Sequence, residues 1–349
     1  MKNKTAILLM ILIMNTSCSS VYRFSIDVQD PAVVTLPVFA QNVLIIDNTV
    51  TQPLNYGITQ IFNGQPVNTD SLSLDSMVRV AGEEISIVLD ESNFFNTIAL
   101  YNSSLRTDTG WLSRTVLSQE KQSELYEIGD FNTLFVIDRL LFSFKQDVKR
   151  LHNNESSSMI NNIIAEGMIT CSVYYLGREN PISTFSISDS LFLRTLDFND
   201  SITVFKKIPE YVLYKLSYIL GNLAAKRIIP TWKTVSRMLY VGNNSRMQEA
   251  AGYALNNKWA ISESIWNDEL EKRKKFVDKA KIAFNLAVAN EMQDKIGNAF
   301  VWAENAIEYL KHVDREKNLS EIVEADNYLM DLSTRLQNNR LLDVQWGNE

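Results

Sequence analysis

Apolar and polar positions follow two different periods along the chain, and the change falls near residue 205. Val43 to Ile46 is an unbroken apolar run between Asn42 and Asp47-Asn48, the pattern of a strand buried on both faces. From Ser71, the apolar positions Leu74, Met77, Val78, Ala81, Ile85, Val88 and Leu89 recur at three- and four-residue steps. They predict an amphipathic helix that stops at Ser92-Asn93. Phe94 to Tyr101 returns to strand character. Ser118 then opens a shorter helix with Glu120 in its first turn and Leu125 and Ile128 on its buried side. Thr133 to Ile137 reads as a strand that continues to about Asp147. Ile163 to Tyr175 and Ile182 to Leu193 read as antiparallel runs across an Asn180-Pro181 turn. Phe24 to Val28 and Val33 to Leu36 are short β-like runs broken at Asp30-Pro31, and polar Asn55 to Thr69 reads as a loop. This order predicts an α/β domain over residues 18–205, a mixed sheet with helices packed on it.

Beyond Pro209 the period becomes helical. Tyr211 to Leu223 starts a helix that runs to Ile229-Pro230, where an interior proline would cost about 3 kcal/mol. Trp232 to Tyr240 reads as a further helix closed by Gly242-Asn243-Asn244, and every later segment to Leu341 fits a helix. Residues 206–349 are therefore expected to form an all-α domain. Within it Ala250, Tyr253, Trp259, Ser262 and Trp266 match Ala287, Asn290, Ile296, Ala299 and Ala303 in spacing, with Ala306 following. These two units resemble the tetratricopeptide repeat, in which small residues let paired helices approach closely. The same residues would also serve an ordinary helical bundle. The resemblance implies a peptide groove at Met247, Ala251, Phe284 and Val288, without the Lys and Asn clamp that some members use for a terminal carboxylate.

The N-terminus carries an address. Lys2 and Lys4 precede an apolar run from Ala6 to Met14, too short for a bilayer span of roughly 20 residues. The small residues before Cys18 resemble the lipobox of bacterial lipoproteins, although Asn15 stands where most carry an aliphatic residue. The reading is a signal peptide over residues 1–17, acylation at Cys18 and a membrane partner reached through that lipid. No acidic cluster of the kind that resembles a surface-export signal in such bacteria follows Cys18, so the lipoprotein resemblance implies an outer-membrane protein facing the periplasm. The second cysteine, Cys171, lies in an apolar strand and reads as core.

Composition narrows the chemistry. A net charge of -7 argues against a nucleic-acid partner, which needs a basic face. His152 sits in a loop-like context and His312 on a charged helix end, neither with a second metal ligand at suitable spacing. No catalytic, cofactor-binding or metal-binding motif is found. Asp75, Glu83, Glu84 and Asp90 read as the solvated face of a helix, and the basic stretch Lys272 to Lys275 as an exposed turn. Four Asp-Ser-apolar triplets resemble the acceptor of Bacteroidota O-glycosylation, at Ser71, Ser76, Ser190 and Ser201. Asp-Ser is equally a helix start.

Residues spread over the whole chain carry a wider resemblance. They include Asp30-Pro31-Ala32, Val43 to Asn48, Gly221, Pro230 with Trp232, and Arg237 with Tyr240. Asn285 to Ala287, Asn290-Glu291, Gly297-Asn298-Ala299 and Trp302 complete them. Together they resemble a family of uncharacterised Bacteroidota lipoproteins with C-terminal tetratricopeptide-like repeats, which implies a fold and an address but no activity. More distantly, the first part resembles the periplasmic α/β domains of curli-export lipoproteins and other envelope assembly factors, at fold level only. Two functions follow as expectations: a non-catalytic protein-interaction or envelope-assembly module with a protein partner, or a hydrolase of envelope polymer or glycan using unrecognised carboxylates.

Overall fold

The computed structural model describes residues 21–53, 56–70, 74–153, 156–197, 210–242 and 244–348. Cys18, Ser71 and Ser201 lie outside them. The fold is an α/β region with a mixed sheet followed by an all-helical C-terminal region. Its strands are β1 (Val21–Asp30), β2 (Asn42–Asp47), β3 (Ile58–Phe62), β4 (Gln65–Asp70), β5 (Thr97–Leu100), β6 (Thr133–Asn153), β7 (Ser156–Tyr175), β8 (Ser183–Asp197) and β9 (Thr231–Tyr240). Its helices are α1 (Asp75–Glu91), α2 (Gln119–Glu127), α3 (Glu210–Ala225), α4 (Ser245–Leu255), α5 (Trp259–Lys272), α6 (Phe276–Glu291), α7 (Ile296–Leu310) and α8 (Leu319–Trp346). Two compact units result among the described residues: 31–231 with 342–348, and 21–30 with 232–341.

In the first unit the long strand β6 organises the sheet. One edge of β6 pairs antiparallel with β7 along its whole length, and β7 pairs with β8. The other edge is shared, with β2 parallel to residues 133–137 and β3 parallel to residues 144–148. A register shift between Ile137 and Arg139 separates the two halves, as a bulge that bends the strand would. β5 adds parallel to β2. One sheet face is covered by α1 and α3, whose Met77, Ile85, Leu216 and Leu220 join Val43, Phe135, Phe142 and Ile169 in one core. Leu44, Ile46, Leu134 and Val136 point the other way, onto Leu125 and Tyr126 of α2. Ser118 caps α2 as expected, its hydroxyl accepting from the Lys121 amide at 3.2 Å.

Two glycines set how closely α3 can approach. A Cβ on Gly221 would stand 2.5 Å from the backbone oxygen of Ala81 in α1. One on Gly167 of β7 would meet Phe142 at 2.6 Å and Leu216 at 2.9 Å. These contacts place α3 with the sheet unit rather than with the later helices, so the compact units divide at residues 231/232, beyond the expected position near 205.

Three local expectations are corrected. Asn55 to Thr69 contains the hairpin β3–β4, turned by Asn63-Gly64 with φ of 48° and 84°, the left-handed pair that a two-residue hairpin favours. Val33 to Leu36 is no strand. Its Val34 amide donates to the Arg227 carbonyl at 2.9 Å, and Val34 and Leu36 fill the core. Trp232 to Tyr240 is the strand β9, paired with β1, and not a helix. Trp232, Val235 and Leu239 imitate a helical step, but Thr231, Thr234 and Val235 are β-branched and favour extended backbone.

In the second unit α4 to α7 stack as successive antiparallel hairpins. Ala250, Trp259, Ser262, Trp266, Ala287, Ile296, Ala299 and Ala303 are buried in its core, and the Ser262 hydroxyl donates to the Ala250 carbonyl at 2.8 Å. Small side chains at the crossings let these helices pack closely. Glu291 of α6 accepts from Arg237 Nε of β9 at 2.8 Å, from Arg237 Nη2 at 3.0 Å, and from Tyr328 and Arg335 of α8 at 2.7 Å each. One buried carboxylate thereby ties β9 and α8 to α6.

Candidate functional site

The inner face of the helical hairpins does not present the expected groove. Met247, Ala251, Phe284 and Val288 are 6%, 2%, 5% and 0% exposed. The chain covers this face itself. The ring of Phe284 lies 5.4 Å from that of Tyr240 and 4.8 Å from that of Tyr328. The Asn285 amide, one position on, accepts from the Tyr240 N–H and donates to the Tyr240 carbonyl, both at 2.8 Å. Strand β9 is held there much as an extended peptide would be.

A cavity of about 340 Å³ lies beside the end of β9. Of the four expected groove residues only Met247 lines it; Tyr240 and Ile282 share its apolar wall, and Asn244, Arg273, Asp278 and Lys281 supply polar groups. Lys281 pairs with Glu321 at 3.0 Å and stands 5.4 Å above the Tyr240 ring. Burial raises the Glu321 carboxyl, but the hydrogen bond and charge of Lys281 outweigh it and hold the group below its ordinary value. Arg273 pairs with Glu269, and its Nε is buried without a partner.

A second cavity, about 470 Å³, lies in the sheet unit at the carboxyl ends of β2 and β5. After β2 the chain forms the hairpin β3–β4 before entering α1 on one face of the sheet, and after β5 it runs to α2 on the other face. Val78, Gly82, Leu100 and Ile137 make its apolar floor. Asp47 ends β2, its Oδ1 accepting from the Thr49 amide at 2.8 Å and hydroxyl at 2.7 Å, and its Oδ2 from the Ser104 hydroxyl. Arg106 holds Asp75 at 2.9 Å and Arg79 holds Glu83 at 2.8 Å.

The loop after β5 is anchored from behind. Asn48 Oδ1 accepts from the Thr107 amide and hydroxyl at 3.0 Å each. Arg139 pairs with Asp108 at 2.7 Å. Burial pushes the Asp108 carboxyl up, but Thr115 and Arg139 prevail and hold it below its ordinary value. Asp138 accepts from the Ser172 hydroxyl at 2.5 Å, yet burial dominates there and raises its carboxyl. Among the described residues no group of three or more His, Cys, Asp or Glu could hold a metal ion.

The other sequence candidates do not converge on either cavity's chemistry. Ser76 is exposed in the first turn of α1, and Ser190 is exposed on β8. His312 stacks on Phe276 with ring centroids 4.6 Å apart. Cys171 is a free, fully buried thiol whose deprotonation burial opposes. The Arg237–Glu291 pair escapes sequence reading because its members are 54 residues apart. No helix among the described residues is long and apolar enough to cross a membrane.

Comparison with known proteins finds two family matches. Residues 40–240 match the family described as Domain of unknown function (DUF8603), and residues 248–334 match Domain of unknown function (DUF6340). No curated protein matches the chain. Among solved structures, a neuraminyllactose-binding hemagglutinin homolog from Helicobacter pylori aligns at 11% identity with a TM-score of 0.23. That alignment covers 54% of this chain and 81% of the other, a likeness too slight to carry an argument.

Proposed function

The chain belongs to the DUF8603 family, and we propose that it is an outer-membrane lipoprotein facing the periplasm that acts as a non-catalytic protein-interaction or envelope-assembly module. The observation that supports this reading is the cavity beside β9. Beside β9 the helical hairpins leave an opening with an apolar wall, the cationic Arg273 and Lys281 and one acid, Asp278. Such a pocket suits an apolar partner side chain next to an acidic group, with Met247 adjusting to its shape. Acylation at Cys18 would hold the module at the membrane. A hydrolase finds less support, because Asp47, Asp75 and Glu83 in the crevice are each already bound by neighbouring donors.

The test is purification of the tagged protein from its native membranes in mild detergent, with mass spectrometry of what stays bound. A near-stoichiometric partner retained by the wild type and lost from Lys281→Glu is expected. A partner held equally by both proteins, or no partner in either, refutes the reading. Fractionation of Cys18→Ala tests the address, since release of the protein from membranes is expected and continued membrane retention argues against acylation.

A further inference from the structure

We propose that the crevice at the carboxyl ends of β2 and β5 binds an uncharged saccharide. This site lies in the sheet unit, and the proposal does not depend on the partner cavity of the helical unit. Its volume of about 470 Å³ falls within the range of roughly 300–1,000 Å³ typical of small-molecule sites.

The lining selects the ligand by charge. Asp47, Asp75 and Glu83 face the cavity with Arg79 as the only lining cation, so a phosphate or carboxylate would meet a net negative surface. The first turn of α1 already carries Asp75, which uses up the attraction a helix start offers to an anion. Two of the three lining carboxylates already have a cationic partner. Asp75 is paired with Arg106 and Glu83 with Arg79, while both oxygens of Asp47 accept hydrogen bonds from the uncharged Thr49 and Ser104.

What remains is a rim of oriented groups of both senses over an apolar floor. Carboxylate oxygens retain accepting capacity, while Arg79 and the Asn102 amide can donate. Sugar hydroxyls donate and accept together, and the C–H faces of a pyranose match Val78, Leu100 and the half-buried Tyr101 ring. The internal hydrogen bonds keep these groups in place before binding, which lowers the ordering cost.

The full chain in detergent would be applied to a printed array of bacterial and host oligosaccharides, followed by calorimetric titration of the best-retained neutral tetrasaccharide. Asn102→Ala and Arg79→Ala alter exposed side chains and leave the fold intact, which circular dichroism checks. Retention of a reproducible set of neutral glycans is expected, with affinity falling tenfold or more in each variant and unchanged in Ser188→Ala on the distant sheet face. The proposal is overturned if no glycan is retained, if both variants bind as the wild type does, or if sialylated glycans rank first. Displacement of the tetrasaccharide by equimolar spermidine would likewise overturn it and mark a cation site.

Discussion

Glu291→Gln removes the buried carboxylate charge that joins Arg237, Tyr328 and Arg335 while preserving side-chain volume. Four hydrogen bonds of 2.7–3.0 Å converge on that carboxylate from Arg237, Tyr328 and Arg335. The side chains of Arg237 and Glu291 are 5% and 0% exposed, so water cannot replace the lost partner. Asp331 remains 3.1 Å from Arg237 but is itself 56% exposed, and it recovers only part of the interaction. Breaking one side of a buried ion pair costs about 3–5 kcal/mol. At roughly 3–6 °C per kcal/mol for a unit of this size, the calorimetric midpoint should fall by about 10 °C or more. Urea unfolding supplies the free energy independently, and a loss below about 1 kcal/mol would refute the reasoning. The double variant Arg237→Met with Glu291→Leu should be no less stable than the more damaged single variant, because no unpaired charge stays buried.

The same network fixes a pH dependence. Burial raises the Glu291 carboxyl, but Arg237, Tyr328 and Arg335 outweigh it and hold the group below its ordinary value. A carboxyl lowered on folding contributes its full stability above its unfolded pKa, about 4.3, and loses it as pH falls through the folded value. The stability gap between wild type and Glu291→Gln should therefore narrow on acidification below about pH 4. A gap that widens there would contradict the assignment.

Other substitutions probe the packing and the surface. Gly221→Ala should cost at least about 1–3 kcal/mol, since the new methyl meets the backbone of Ala81, whereas Gly252→Ala in α4 meets nothing within 4 Å and should gain up to about 1 kcal/mol by helix propensity. Thermal denaturation of both reads the opposite signs, and equal shifts would discredit the close α1–α3 crossing. Asn285→Ala leaves the Tyr240 N–H and C=O buried without partners, with an expected cost of about 2 kcal/mol or more; hydrogen exchange should show the Tyr240 amide losing protection. Exposed Ser76 and Ser190 can reach a glycosyltransferase, so intact mass of protein from its native host should exceed that of the bare chain, and an unmodified mass would remove both as acceptors.

Local pattern determined the elements that carry their own signal. The stripe from Leu74 to Leu89, the Ser118 cap, the apolar core of β2 and the two small-residue repeats of α4 to α7 were legible because each follows from spacing along a few turns or residues. The Asn63-Gly64 hairpin was also written locally, under a polar composition that suggested a loop. Tertiary structure alone decided the rest. Nothing near Trp232 specifies that β9 pairs with β1, more than 200 positions earlier, or that Asn285 clasps its end. Helix α3 has the same apolar face whether it joins the sheet or the later helices; Gly167 of β7 lets it approach the sheet and its own Gly221 lets it approach α1. The expected groove failed for the same reason. Periodicity reports that Phe284 and Val288 lie on an apolar face, but not what covers that face, and here the covering element is the chain's own β9 and α8. Both cavities depend on such long-range meetings, since an apolar side chain records that it must leave water without recording the neighbour it leaves water for.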